Sequence, residues 1–265
     1  MARGMTDSLQ VEQRGAVLWL TLNRPAAMNA LSPAMVGALD AAIEAAGSDD
    51  TVRCLVIGGT GRAFCAGADL KAVREGIGDD DGAMRRFLER AAGTMSRIER
   101  LPKPVIAAVN GLALAGGLET VLACDLVVAA QSARFGDAHV NFGLLPGGGS
   151  SVRLPRKLGP NRAKYLLFSG EAVAASEFVA CGFVHQVVPD SELAGAVDRL
   201  AQSIAAKSPL VLRRLKQLVD AGLDQPRETA LQLERATAEA HASSHDLKEG
   251  LAAFVERRTP RFLGR

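Results

Sequence analysis

The run Val105-Ile106-Ala107-Ala108-Val109 is the feature that most constrains this chain. It is apolar at every position, with Pro102-Lys103-Pro104 before it and Asn110-Gly111 after it. A strand with one wet face alternates apolar and polar residues, whereas an unbroken apolar run belongs to a strand buried on both faces. Such a strand needs cover on either side, and helices that connect parallel strands supply it. The neighbouring segments fit that demand. Residues 16–22 read as a strand stopped by Asn23-Arg24-Pro25. Ser32-Pro33 reads as an N-cap and first helical position, opening a helix to about residue 46. Residues 54–58 read as a short apolar strand running into Gly58-Gly59-Thr60-Gly61. Residues 84–101 have helical periodicity, 116–123 form a short helix and 125–129 another buried strand. Strands and helices alternate, which predicts right-handed crossovers and an α/β core.

The character changes after about residue 182. Residues 183–188 read as a last short strand, and helices are expected over 191–207, 209–221, 227–242 and 246–257. The expected organisation is an α/β core over 1–190 followed by a helical region over 191–265. Residues 76–82 (GIGDDDG) read as a polar, mobile surface loop. The sequence shows no internal repeat and no low-complexity linker.

Composition narrows the function classes. The net charge is +2 with 23% charged residues, which argues against a dedicated nucleic-acid binder with its clustered basic excess. Residues 1–10 are polar and carry no secretory signal. No run of about 18 apolar residues suggests a membrane span. The four cysteines, Cys54, Cys65, Cys124 and Cys181, form no CxxC pair. That pattern favours neither a metal cluster nor a disulfide framework, and a reducing, cytoplasmic setting is expected.

Three segments could carry chemistry. In Phe64-Cys65-Ala66-Gly67-Ala68-Asp69-Leu70, small residues follow a buried strand and let backbone approach a ligand; a plain surface turn is the alternative. In Gly111-Leu112-Ala113-Leu114-Ala115-Gly116-Gly117-Leu118-Glu119, a strand leads through small residues into a helix N-terminus. Free N–H groups there suit an anion. Glu119 could merely complement the helix dipole. Its small and apolar neighbours would also raise its pKa, as suits an acid/base group. The third segment, Phe135 to Gly149, is glycine-rich and holds Asp137 and His139. It lacks the GK[ST] ending of a P-loop.

Other groups read as structural. His241 and His245 have i, i+4 spacing without a third ligand and read as surface or interface residues. Cys65 reads as a packing residue. Arg213-Arg214 and Arg257-Arg258 read as solvated helix faces.

Together these segments resemble the crotonase (enoyl-CoA hydratase/isomerase) family over nearly the whole chain. Asn23-Arg24-Pro25 with Asn29-Ala30-Leu31 is similar to its N-terminal signature, and Phe64 to Leu70 to its F-x-A-G-A-D-[IL] segment. Lys103 to Gly111 followed by Ala115-Gly116-Gly117 is similar to its K-P-V-I-A-A-V-N-G…G-G segment. Phe135-Gly136 and Gly143 to Gly147 resemble the next segment. Glu249-Gly250, Ala253-Phe254 and Pro260-Arg261-Phe262 resemble the C-terminal helix and tail.

The resemblance implies a fold of repeated ββα turns with a helical C-terminal region, assembled as a homotrimer or a hexamer of paired trimers. It implies an acyl-CoA substrate, with no metal and no cofactor beyond the coenzyme A that the substrate carries. The backbone N–H groups of Ala68 and Gly116 would form an oxyanion hole. Ala26, Met28, Ala66, Asp69, Leu70, Lys71 and Gly117 would contact CoA or substrate, and Phe254 would approach the CoA from a neighbouring subunit. Family hydratases use two glutamates. One matches Glu119, and the other position is held here by His139. The leading expectation is therefore hydration of a 2-enoyl-CoA by Glu119 and His139. Isomerisation, decarboxylation, hydrolysis or carbon–carbon cleavage of an acyl-CoA is the alternative, as is a catalytically weak acyl-CoA-binding protein.

Overall fold

The computed structural model describes residues 8–76 and 82–265. The expected loop at 76–82 therefore lies almost wholly outside the described residues, as do residues 1–7. The chain opens with strands β1 (Leu9–Arg14) and β2 (Val17–Leu22), then helix α1 (Pro33–Ser48). Strands β3 (Cys54–Gly59) and β4 (Ala63–Cys65) precede helices α2 (Leu70–Gly76) and α3 (Ala83–Arg100). Strands β5 (Val105–Val109) and β6 (Leu112–Leu114) precede α4 (Gly116–Ala123). Strands β7 (Leu126–Ala130) and β8 (Arg134–Gly136) lead into a 3₁₀ turn at His139–Phe142, then α5 (Ser150–Leu158) and α6 (Pro160–Ser169). Strands β9 (Val173–Ala174) and β10 (Gln186–Val188) are followed by α7 (Leu193–Ala205), α8 (Pro209–Leu223), α9 (Arg227–His241) and α10 (His245–Val255).

The strands form two sheets, ordered β1-β2-β3-β5-β7-β10 and β4-β6-β8-β9. The architecture is a ββα turn used repeatedly. In each of β3/β4, β5/β6 and β7/β8, the first strand joins the larger sheet and the second joins the smaller. Neighbours from β2 to β10 in the larger sheet run parallel, while β1 is antiparallel on the edge. Strand β5 lies between β3 and β7, with Ile57 opposite Ala107 and Ala107 opposite Val127. All five of its residues are buried, which is why the run shows no alternation.

Four features differ from the reading of the sequence. The smaller sheet was invisible there because its strands are two or three residues long, too short for periodicity. Helices α5 and α6 were not anticipated either: Pro155 lies inside the first and Gly159 separates the two. The compositional boundary at 190/191 is also not a packing boundary. Helix α7 packs on β3, β5 and β7, and its Leu193, Ala196, Val197, Ala201 and Ala205 are buried. Burial of that apolar stripe makes α7 one cover of the larger sheet rather than part of an appendage. The predicted strand 183–188 shortens to Gln186–Val188, because Phe183 turns into an edge-to-face cluster with Phe135 and Phe178. No described helix is long and apolar enough to cross a membrane.

Candidate active site

A cavity of ≈ 530 Å³ opens where four loops meet: the one after β2, the β4–α2 turn, the end of β6 and the turn after β8. Ala26 and Met28 line it from the first loop, and Ala66, Ala68, Asp69, Leu70 and Lys71 from the second. Arg24 ties these two loops together. Its guanidinium donates to Ala30 O at 2.7 Å and to Asp69 Oδ2 at 3.0 Å. That bond to Arg24 holds the Asp69 carboxyl below the usual carboxylate range. Asn29, fully buried, adds a second brace: Oδ1 accepts from Arg24 N, and Nδ2 donates to Thr60 O and Ala63 O.

Two peptide N–H groups at this cavity have no protein acceptor among the described residues. Ala68 makes a parallel bridge with Leu31, but the bonds of that bridge run from Leu31 N to Gly67 O and from Asp69 N to Leu31 O. The Ala68 N–H is therefore left on the other side. Gly116 is the first residue of α4, where an N–H has no partner within the helix. The two groups are neighbours, since a Cβ placed on Gly116 would stand 3.6 Å from Ala68 N. Ala115, just before, has φ 47 and ψ −117. A non-glycine residue held in such a region costs about 1–3 kcal/mol. The bond from its N to Gly136 O, 3.0 Å, helps to hold it there.

Glu119 is buried next to the cavity, at 4% exposure, and does not line its wall. The Gly147-Gly148-Gly149 loop folds over its carboxyl. Gly148 N donates to Oε1 at 2.7 Å and Ser150 N to the same oxygen at 3.1 Å. The loop is in turn held by Arg153, which donates to Gly148 O at 2.6 Å and grips both oxygens of Glu99. Glu119 Oε2 accepts no bond among the described residues, whereas Oε1 accepts two. Burial raises the Glu119 pKa above the ordinary glutamate value. The Ser150 and Gly148 N–H groups and the charge of His139 oppose that rise, and the charge of Asp137 adds to it.

His139 lines the cavity at the start of the 3₁₀ turn. Its Nδ1 lies 2.9 Å from Asp137 Oδ1. Burial alone would lower the pKa of the imidazole. The bond to Asp137 and the negative charges of Asp137 and Glu119 outweigh burial and raise it above the ordinary histidine value. Asn141, in the same segment, is turned elsewhere and donates to Gly170 O at 3.0 Å.

Other expected residues have different surroundings. Gly117 does not line the cavity: a Cβ there would fall 2.1 Å from Cys65 O, so its bareness serves the packing of α4 on β4. Phe254, on α10, is 84% exposed and does not line the cavity. Cys65 is buried and its thiol is pushed up to about 12 by burial, which leaves it inert near neutral pH. His241 Nδ1 meets Arg214 at 2.6 Å, and His245 lies 3.5 Å from Asp246. Arg258 is not on a helix face. It lies beyond α10 and makes a bidentate pair with Glu249. The braces Arg24, Asn29, Arg153 and Gly148 were not singled out from sequence. The only signal for Arg24 and Asn29 was their place in the N-terminal signature.

Comparison with known proteins gives a consistent result. The enoyl-CoA hydratase/isomerase family model matches residues 12–265. The chain is 38% identical to the 2,3-dehydroadipyl-CoA hydratase of Escherichia coli (strain K12) over 263 residues, 98% of this chain and 100% of that protein. It is 36% identical to the short-chain-enoyl-CoA hydratase of Clostridium acetobutylicum, over 95% of this chain and 96% of that one. The crystal structure of an enoyl-CoA hydratase from Bacillus anthracis superposes with a TM-score of 0.92 at 36% identity, covering 97% of this chain and all of that one.

Proposed function

The chain belongs to the enoyl-CoA hydratase/isomerase family, and from that premise we propose that it adds water reversibly to a 2-enoyl-CoA, with Glu119 and His139 as its proton-transfer pair. The observation that carries this reading is the placement of His139 on the wall of a cavity beside two unused N–H groups, with its ring coupled electrostatically to the buried carboxyl of Glu119. The thioester oxygen would sit on Ala68 N–H and Gly116 N–H. Charge accumulates there as an enolate forms, and one preorganised donor of this kind is worth roughly 3–4 kcal/mol.

In the hydration direction, Glu119 takes a proton from water through Oε2 as the water oxygen bonds to Cβ. His139, as imidazolium, gives a proton to Cα, so the double bond gains one water. The spare proton on Glu119 returns to the imidazole by exchange, and no other cofactor takes part. The active form is ionised Glu119 with protonated His139. Activity falls at low pH as Glu119 is protonated and at high pH as His139 loses its proton.

The resemblance implies a glutamate at the position held here by His139, and a histidine whose charge change lies near neutral pH would suit the same role. The Arg24–Asp69 brace and Lys71 belong to the mouth that would receive the CoA. A homotrimer or paired trimers would bring Phe254 of one subunit to the CoA of the next. With Cys54, Cys65, Cys124 and Cys181 as free thiols, a reducing, cytoplasmic setting is the compartment proposed.

The test is crotonyl-CoA hydration, followed by loss of the conjugated-thioester absorbance, for wild type, Glu119→Gln and His139→Glu. Turnover by wild type that falls at least about 100-fold in Glu119→Gln supports the reading, as general acid–base catalysis contributes that much. No turnover by wild type, with activity gained in His139→Glu, would assign the scaffold to a different acyl-CoA reaction.

A further inference from the structure

Asp137 is 1% exposed and sits among the turns that build the cavity wall. Its Oδ1 meets His139 Nδ1 at 2.9 Å, while its Oδ2 is buried with no hydrogen-bond partner among the described residues. A carboxylate retained for structure alone has its lone pairs filled, since each buried unpaired acceptor is unfavourable. Asp137 leaves one oxygen unused and spends the other on a single side chain. The backbone is arranged to make that one contact. His139 N donates to Asp137 O at 2.8 Å, closing a three-residue turn around Ala138. Ala138 itself is held at φ 57, ψ −9, a left-handed conformation unfavourable for alanine.

We infer that Asp137 is the positioning residue of this site: it holds the Nδ1–H of His139 and thereby commits Nε2 to the cavity as the nitrogen that exchanges a proton with the substrate. This rests on the reading of His139 as a catalytic group. An ionised carboxylate only accepts hydrogen bonds. The neutral imidazole facing it therefore keeps its hydrogen on Nδ1 and its lone pair on Nε2. After Nε2–H is given to Cα, the ring is left in the one tautomer that can take a proton back at the same atom. Asp137 is also a buried negative charge acting on both catalytic groups, adding to the raised values of His139 and Glu119. The other charged groups on the cavity wall are the Arg24–Asp69 pair, whose charges oppose one another, and Lys71.

Nitrogen-15 NMR of the imidazoles tests this without needing turnover, with His139→Gln to assign the signal among the four histidines. In wild-type protein above the titration of His139, the neutral ring is expected as the Nδ1–H tautomer. In Asp137→Asn, His139 is expected to titrate at lower pH and to admit the Nε2–H tautomer. In the same variant kcat on the best enoyl-CoA should fall about 10- to 100-fold, the range that outer-shell partners of metal-bound histidines command. KM should stay within about twofold, and the alkaline limb of the kcat profile should move to lower pH. A structural role would lower stability and leave that limb in place. An Nε2–H tautomer in wild type overturns the inference, as does an unmoved titration in Asp137→Asn. Should that variant not fold, the wild-type tautomer decides alone. If the tautomer and titration behave as stated while wild type hydrates no enoyl-CoA, Asp137 keeps its positioning role and the hydratase reading falls.

Discussion

Replacing Gly148 by alanine probes how tightly the backbone sets the Glu119 carboxyl, the proposed proton acceptor. The added Cβ would lie 2.6 Å from Glu119 Oε2, 2.8 Å from Cδ and 3.3 Å from its Cβ. A comfortable contact is about 3.5 Å, so carboxyl and loop must part by about 0.9 Å. Two restraints oppose that movement. Gly148 N and Ser150 N hold Oε1 at 2.7 and 3.1 Å, and hydrogen bonds to a charged group contribute about 1.5–3 kcal/mol each. Arg153 fixes the loop from the other side through Gly148 O. A displacement near 1 Å costs roughly 100-fold in rate, or about 2.7 kcal/mol of transition-state stabilisation. Overpacking should remove about 1–3 kcal/mol of stability as well. The assay is hydration of crotonyl-CoA together with urea unfolding. Because the two residues touch, Gly148→Ala and Glu119→Asp should not be additive in a double-mutant cycle. A Gly148→Ala enzyme with kcat within twofold of wild type would refute the claim that this backbone positions Glu119.

Two further consequences concern stability. Ala115→Gly relieves a conformation worth about 1–3 kcal/mol and gives back about 0.5–1 kcal/mol in chain entropy. Denaturant titration should therefore show a gain of about 1 kcal/mol, and a loss would remove strain from the account of this turn. The second consequence is an acid-labile tail. Asp246 accepts from Leu263 N and Gly264 N, and Glu249 accepts from Arg261 N while pairing with Arg258. Burial would raise Asp246, but the Ser208 hydroxyl and the tail N–H groups hold it below the usual range. The bond to Arg258 lowers Glu249 from 4.5 to about 2. Both pKa values are depressed in the folded chain, so the attachment is complete above the unfolded values and is lost as pH falls through the folded ones. Amide exchange at Leu263 and Gly264 should accelerate as pH drops from about 4.5 towards 2, after correction for intrinsic rates. Unchanged protection at the acid end would show that these carboxylates do not hold the tail.

What could be read from sequence follows from how local each signal is. Val105–Val109 and Gly116–Ala123 coincide with β5 and α4, because double-sided burial and a helix entered through glycines leave their marks within a few residues. The smaller sheet left no mark, since each of its strands is shorter than one period of alternation could reveal. The site divides in the same way. Ala68, Gly116, Glu119 and His139 were named from motifs. Their support was not, because it spans the chain: Gly148 reaches Glu119 across 29 residues and Arg24 reaches Asp69 across 45. The Asp137–His139 contact spans only two residues. It depends on a left-handed alanine between them, which no propensity would suggest.

The unused donors at this cavity belong to the main chain, and that has a consequence for inheritance. A codon change can replace any side chain, but proline is the one residue that deletes an N–H. Nearly every mutation at Ala68 or Gly116 thus leaves the donor itself in place and alters only its setting. Glu119, Asp137 and His139 have no such protection, since one base change can remove any of them. Under the proposed function, drift and selection on this scaffold would act unevenly, conserving the means of holding an anion while the handling of protons is free to be rewritten. Laboratory evolution aimed at positions 119, 137 and 139 should accordingly yield new reaction types on the same thioesters more readily than new classes of substrate.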